Sequence, residues 1–110
     1  MVYELCEANQ RIAKDFSFKD QIKRAALSIS NNIAEGFEYN NNNDFYKFLR
    51  FSKGSCGEVR NCLLISLKVK YTNEQEVHNA IEFARLLSKQ IGNMMKYLLT
   101  NKSTKITNKK

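Results

Sequence analysis

The sequence contains no proline and no tryptophan, only four glycines, three cysteines and a single histidine. A sheet protein needs proline and glycine for its many turns, so their scarcity argues against a sandwich or barrel. Cys6, Cys56 and Cys62 are odd in number and form no Cys-X-X-Cys pair. They read as reduced thiols of a cytosolic protein rather than a disulfide framework. With His78 the sole imidazole, most catalytic dyads and zinc sites are excluded at once. No apolar run reaches the roughly 18 residues of a membrane span, and no signal peptide is expected before the fold. A Gly-rich phosphate loop is also missing, so the chain is expected to need no metal, cofactor or small-molecule substrate.

What remains is a chain of 110 residues and 12.8 kDa with 43% hydrophobic and 26% charged residues. That length supports one packed core, and the expected division is a bundle over 1–100 with a disordered basic tail over 101–110. The net charge is +7. Of the 18 bases, Lys102, Lys105, Lys109 and Lys110 lie in the tail and 14 in the body, which holds all 11 acids. The tail therefore carries +4 and the body +3. With Ile106 as its one large apolar side chain, the tail cannot offset the entropy of ordering, and it suits an electrostatic arm for nucleic acid. Thirteen lysines against five arginines, with thirteen asparagines, is equally what an AT-rich genome imposes without selection for binding.

Apolar spacing predicts four helices. The first runs over about Val2 to Asp15. Ser17 and Asp20 form a capping pattern for the second, whose stripe Ile22, Ala26, Ile29 and Ile33 leads to Gly36 as the expected left-handed stop. The asparagines 40–43 read as low-complexity loop before a third helix from Asn43-Asp44 to about Lys70. Gly54 and Gly57 interrupt that helix at up to about 1 kcal/mol each, and the expected return is close approach by another helix. Asn73 and Glu76 make a reciprocal cap for the fourth, which keeps its rhythm to about Leu99. Short connections between long helices give an all-α, antiparallel up-down-up-down four-helix bundle.

Some residues are not explained by that core. On the third helix Lys47, Arg50, Lys53, Arg60 and Lys68 share a sector opposite the apolar face, with Leu64 and Ile65 among them. Such a stripe is either a solvated face or a contact surface for a nucleic-acid backbone or another protein. On the second helix Arg24, Ser28, Asn32 and Glu35 form a polar strip away from Ile22 and Ile29. Glu58 sits at the edge of the third helix's core face, where pairing with Arg24 or Arg60 makes it structural. Glu35 and Glu58 lack the His, Lys–Ser or metal-ligand companions of a catalytic acid pair, so no enzyme is expected.

The segments Gln21-Ile22-Lys23-Arg24-Ala25-Ala26, Ser28-Ile29 and Asn32-Ile33-Ala34-Glu35-Gly36 resemble one known family. Phe45, Phe48-Leu49, Gly54-Ser55 and Glu58 extend the likeness. It is to the four-helix bundle proteins encoded within intervening sequences of bacterial 23S ribosomal RNA genes. The likeness covers about Val2 to Leu99, and departs from the family in a shorter connection around 16–20 and a second glycine at Gly57. It implies a small cytoplasmic bundle that assembles as a homopentamer, with no catalytic residues. It also implies kinship with the basic accessory proteins of diversity-generating retroelements, which bind nucleic acid beside a reverse transcriptase. Arg24, Asn32, Glu35 and Glu58 match the family's polar motif positions, and the resemblance gives them a structural network. Two functions stand open: a weakly specific RNA- or DNA-binding oligomer, or a protein-interaction scaffold whose charge is incidental.

Overall fold

A computed structural model describes residues 1–100, so the expected tail over 101–110 lies outside the described residues. The described part is an all-α bundle 50 Å long and 20 by 17 Å across. Its helices are α1 (Val2–Ala8), α2 (Gln10–Lys14), α3 (Phe16–Glu38), α4 (Asn42–Lys68) and α5 (Glu74–Thr100). At about 1.5 Å per residue α4 and α5 are rods of roughly 40 Å. α4 is central, packed against α3 on one side and α5 on the other. Along α3 and α4 the contacts run in opposite order, Gly36 on Phe48, Ile29 on Ser52 and Ser28 on Ser55, so these two helices are antiparallel.

The expected first helix is broken in two at Asn9, whose backbone is extended (φ −96°, ψ 112°). The buried Asn9 side chain explains why. Its Oδ1 accepts from the Ile12 amide at 3.0 Å, while Nδ2 donates to the Tyr71 carbonyl at 2.8 Å and to Glu76 Oε2 at 3.1 Å. Three hydrogen bonds, two of them to the α2 amide and the turn carbonyl, outweigh the turn of helix that the break forfeits. The Arg11 guanidinium adds a bond to the Lys70 carbonyl. The N-terminal arm is thereby fastened to the α4–α5 turn.

α3 begins before the expected Ser17 cap. Asp15 is the cap: its Oδ1 accepts from the Phe18 amide at 3.0 Å, and its Oδ2 accepts from the Tyr71 hydroxyl at 2.8 Å. α3 also runs past Gly36 to Glu38, and the left-handed residue is Asn40 (φ 55°). Gly36 serves packing instead, since a Cβ there would stand 2.6 Å from the Phe48 Cβ. The asparagine run is correspondingly specific. Asn40 takes the positive φ, Asn41 caps α4 through the Asp44 amide at 2.8 Å, and Asn42 is buried. The expected close approach at Gly54 and Gly57 is absent within the chain, where nothing lies within 4 Å of an added Cβ at either position. α4 nonetheless passes through both without a break, as expected. The Asn73–Glu76 cap of α5 forms reciprocally, both bonds at 2.9 Å.

The core divides into two clusters that share the half-buried Ile29. Toward the α4–α5 turn, Cys6 and Ile12 from the arm meet Ile22, Ala25, Val59, Cys62, Leu63 and Val77. Here four helical layers surround the core, and this is the closed end. Toward the α3–α4 turn, Phe45, Leu49, Cys56, Ile91 and Leu98 pack with Ile33, Leu87 and Met95, and no arm residue contributes. This is the open end. Between them the arm stops at a cleft of about 420 Å³, with Ala26 and Leu27 on one wall, Phe83 and Leu87 on the other and Val59 at the floor.

Candidate nucleic-acid interface

α4 carries all five expected contact residues. Lys47, Arg50, Lys53 and Lys68 are exposed and Arg60 is half-buried. Their positions follow from the helix. Ser52 and Ser55 face α3, Leu49 and Cys56 face α5, and the remaining arc of α4 is left to solvent. Lys47 and Arg50 share one turn near the open end. Lys53 lies a turn further on, its Cε 3.2 Å from where a Gly92 Cβ would stand, so its stem runs along α5. Lys68 is about 30 Å from Lys47 along the rod. Among the described residues none of the five pairs with an acid. Leu64 and Ile65 are exposed on the same arc.

The four residues expected to form a polar network do not meet within one chain. Arg24 pairs with Asp20 at 2.8 Å one turn earlier on α3, with both side chains largely exposed. Glu35 and Glu58 are exposed and have no ion-pair partner among the described residues. Asn32 alone joins a network, and its companions are serines. Asn32 Nδ2 donates to the Ser28 carbonyl and to Ser28 Oγ, both at 2.8 Å. Ser55 Oγ donates to Ser28 Oγ at 2.8 Å, and Ser52 Oγ donates to the Ile29 carbonyl at 2.8 Å. Neutral hydroxyls, unlike charges, enter a helix–helix seam without a large desolvation cost.

The shifted titratable groups include the three core cysteines and the Asp15 helix cap. Burial pushes the thiols of Cys6, Cys56 and Cys62 up; around Cys56 the nearby Lys53 and Arg60 act in the opposite direction. The Phe18 amide, and then the Tyr71 hydroxyl, hold Asp15 below the ordinary aspartate range. The same bond from Tyr71 to Asp15 raises the phenol. Among the described residues no group of three or more His, Cys, Asp or Glu side chains is placed to hold a metal ion, and no helix is long and apolar enough to cross a membrane.

One feature of this surface escaped the sequence reading. Six of the twelve aromatic residues fall between positions 37 and 51, and the fold brings three of them, Tyr39, Phe48 and Phe51, together at the stretch of α4 that carries Lys47 and Arg50. Tyr39 lies flat on Phe48, with centroids 5.3 Å apart and planes at 11°. Phe51 meets Phe48 edge-on at 6.0 Å. The aromatic density of the segment is the signal that would have found the cluster.

No curated protein and no solved structure matches the chain. The two segments that carry the α3–α4 seam, however, belong to a recognisable pattern, and it extends to nearly the whole bundle: over residues 1–93 the chain matches the family model of the 23S rRNA-intervening sequence protein, and it is a member of that family.

Proposed function

We propose that the protein is a non-catalytic, weakly specific nucleic-acid-binding bundle of the cytoplasm, acting as an oligomer on RNA. The observation that carries this reading is the outer arc of α4, where Lys47, Arg50, Lys53 and Lys68 are exposed and have no acidic partner among the described residues. A cation that no carboxylate neutralises is available to displace counterions from a phosphate backbone. Assembly strengthens the argument. A homopentamer, the form the family implies, multiplies the body's +3 to about +15, so that contacts weak singly act together.

The test is binding to structured RNA across a salt series, with particle mass measured on the same sample. Engagement of these four cations predicts a slope of log affinity against log salt of about −3 to −4, and each Lys→Gln or Arg→Gln change reduces its magnitude by about 1. Absence of binding at low salt, or an affinity indifferent to salt, rejects the reading. The exposed Leu64 and Ile65 favour a second reading, a protein-interaction scaffold. It predicts that Leu64→Ser or Ile65→Ser abolishes partner capture while Gln at 47, 50 and 60 leaves capture intact.

A further inference from the structure

The aromatic cluster beside Lys47 and Arg50 narrows the ligand class. Tyr39 has one face laid on Phe48 yet is 53% exposed, so the accessible area lies on its opposite face and edge. Phe51 is 49% exposed, set edge-on to the same Phe48. Lys47 stands one helical turn before Phe51 and therefore on the same face. Arg50 flanks Phe51 in sequence, and one turn beyond it Gly54 leaves bare backbone, with nothing within 4 Å of an added Cβ. Four acids bound the patch: Glu35 one turn before Tyr39, Glu38 next to Tyr39, Asp44 before Lys47, and Glu58 about two turns past Phe51. Of these Asp44 is engaged by Asn41 Nδ2 at 2.8 Å. The cationic approach is thus confined to the Lys47–Arg50–Gly54 side.

Exposed flat rings next to unpaired cations suit a particular chemistry. In a duplex each base is already stacked on its neighbours and offers no face. In a single strand the π-face is free, and ring stacking is tolerant of base identity. We propose that Tyr39 and Phe51 form a stacking platform for unpaired bases of single-stranded nucleic acid, with Lys47 and Arg50 holding the flanking phosphates. This rests on the nucleic-acid reading above and specifies which strand form the open end takes.

The test uses the full chain with a labelled short oligouridylate and a duplex of the same length. The single strand binds more tightly than the duplex, and Tyr39→Ala or Phe51→Ala weakens it by roughly tenfold or more while leaving the duplex unchanged. Because the chain has no tryptophan, Phe51→Trp supplies a unique reporter. Its emission is quenched by the single strand at saturation and far less by the duplex. Both side chains are half-exposed, and unchanged melting of each variant separates lost stacking from lost fold. If single strand and duplex bind alike, neither alanine variant loses affinity, or the indole is not quenched, the platform is overturned. The salt-dependent reading then still stands, and the cluster is left to a protein partner. If the wild-type chain binds neither probe at low salt, both readings fall together.

Discussion

The two ends of the bundle use the same three long helices but finish them differently. At the closed end the arm supplies Cys6 and Ile12, and five side chains there (Cys6, Ile12, Ile22, Leu63 and Val77) reach zero exposure. No member of the open-end cluster does, and Phe45 there retains 8%. The open end also leaves Phe37, Met94, Tyr97 and Leu99 about half in water. Three rods lying side by side cannot enclose an apolar core, so apolar side chains reach zero exposure only where a fourth layer exists. The difference places the fully enclosed apolar core at one end, while exposed apolar side chains such as Phe16, Leu64 and Val69 occur beyond the open end as well.

The sharpest way to break that contrast is at Ile12. Ile12→Ala should cost about 2–5 kcal/mol by removing a fully buried side chain from the arm, whereas Met94→Ala at the open end should stay within about 0.5 kcal/mol. Denaturant melts of the pair check this, and equal losses would erase the distinction. Asn9→Ala comes next, at about 2 kcal/mol, since it removes a helix cap and orphans the Tyr71 carbonyl together. Limited proteolysis should then cut within 1–14 before any other part of residues 1–100. A third pair concerns glycines: Gly36→Ala should destabilise by about 1–3 kcal/mol through the clash with Phe48, while Gly57→Ala should stabilise by up to about 1 kcal/mol. If Gly57→Ala instead lowers the oligomer mass, the bare face of α4 is an assembly contact.

Arg24→Ala should cost at most about 0.5 kcal/mol in the monomer, as expected of an exposed pair one turn apart on a helix. Unchanged melting with a loss of oligomer mass would move its role from the fold to assembly. The smallest effect is on pH dependence. Asp15 is held below its ordinary range, so its contribution is complete above that range and lost as pH falls through it. Tyr71 is raised, so its contribution is complete below the ordinary phenol range and lost as pH climbs through it. Melting temperatures across pH should show the alkaline limb lost in Tyr71→Phe and the acid limb reduced but kept by the Phe18 amide, and limbs of the opposite sign would refute the coupling.

The helical content and the apolar stripes were legible in the sequence, because local periodicity and a local cap such as Asn73–Glu76 act over a few residues. The break at Asn9 was not, because its partners Tyr71 and Glu76 are 62 and 67 residues away, beyond the reach of any window. Gly36 was misplaced for a related reason. A glycine after a helical run signals a stop, yet here the helix continues and the missing Cβ lets α4 approach. The exposure of Lys47 and Arg50 followed from the wheel. The Tyr39–Phe48–Phe51 cluster needed the hairpin closed before it existed.

The fastening of Asn9 to the far turn has a consequence for how the chain is made. The Asn9 side chain finds its Tyr71 and Glu76 acceptors only after position 76 has emerged, and synthesis proceeds at roughly 5–20 residues per second. For several seconds the nascent arm can meet α3 but not the turn, so a segment translated early waits for its final mooring.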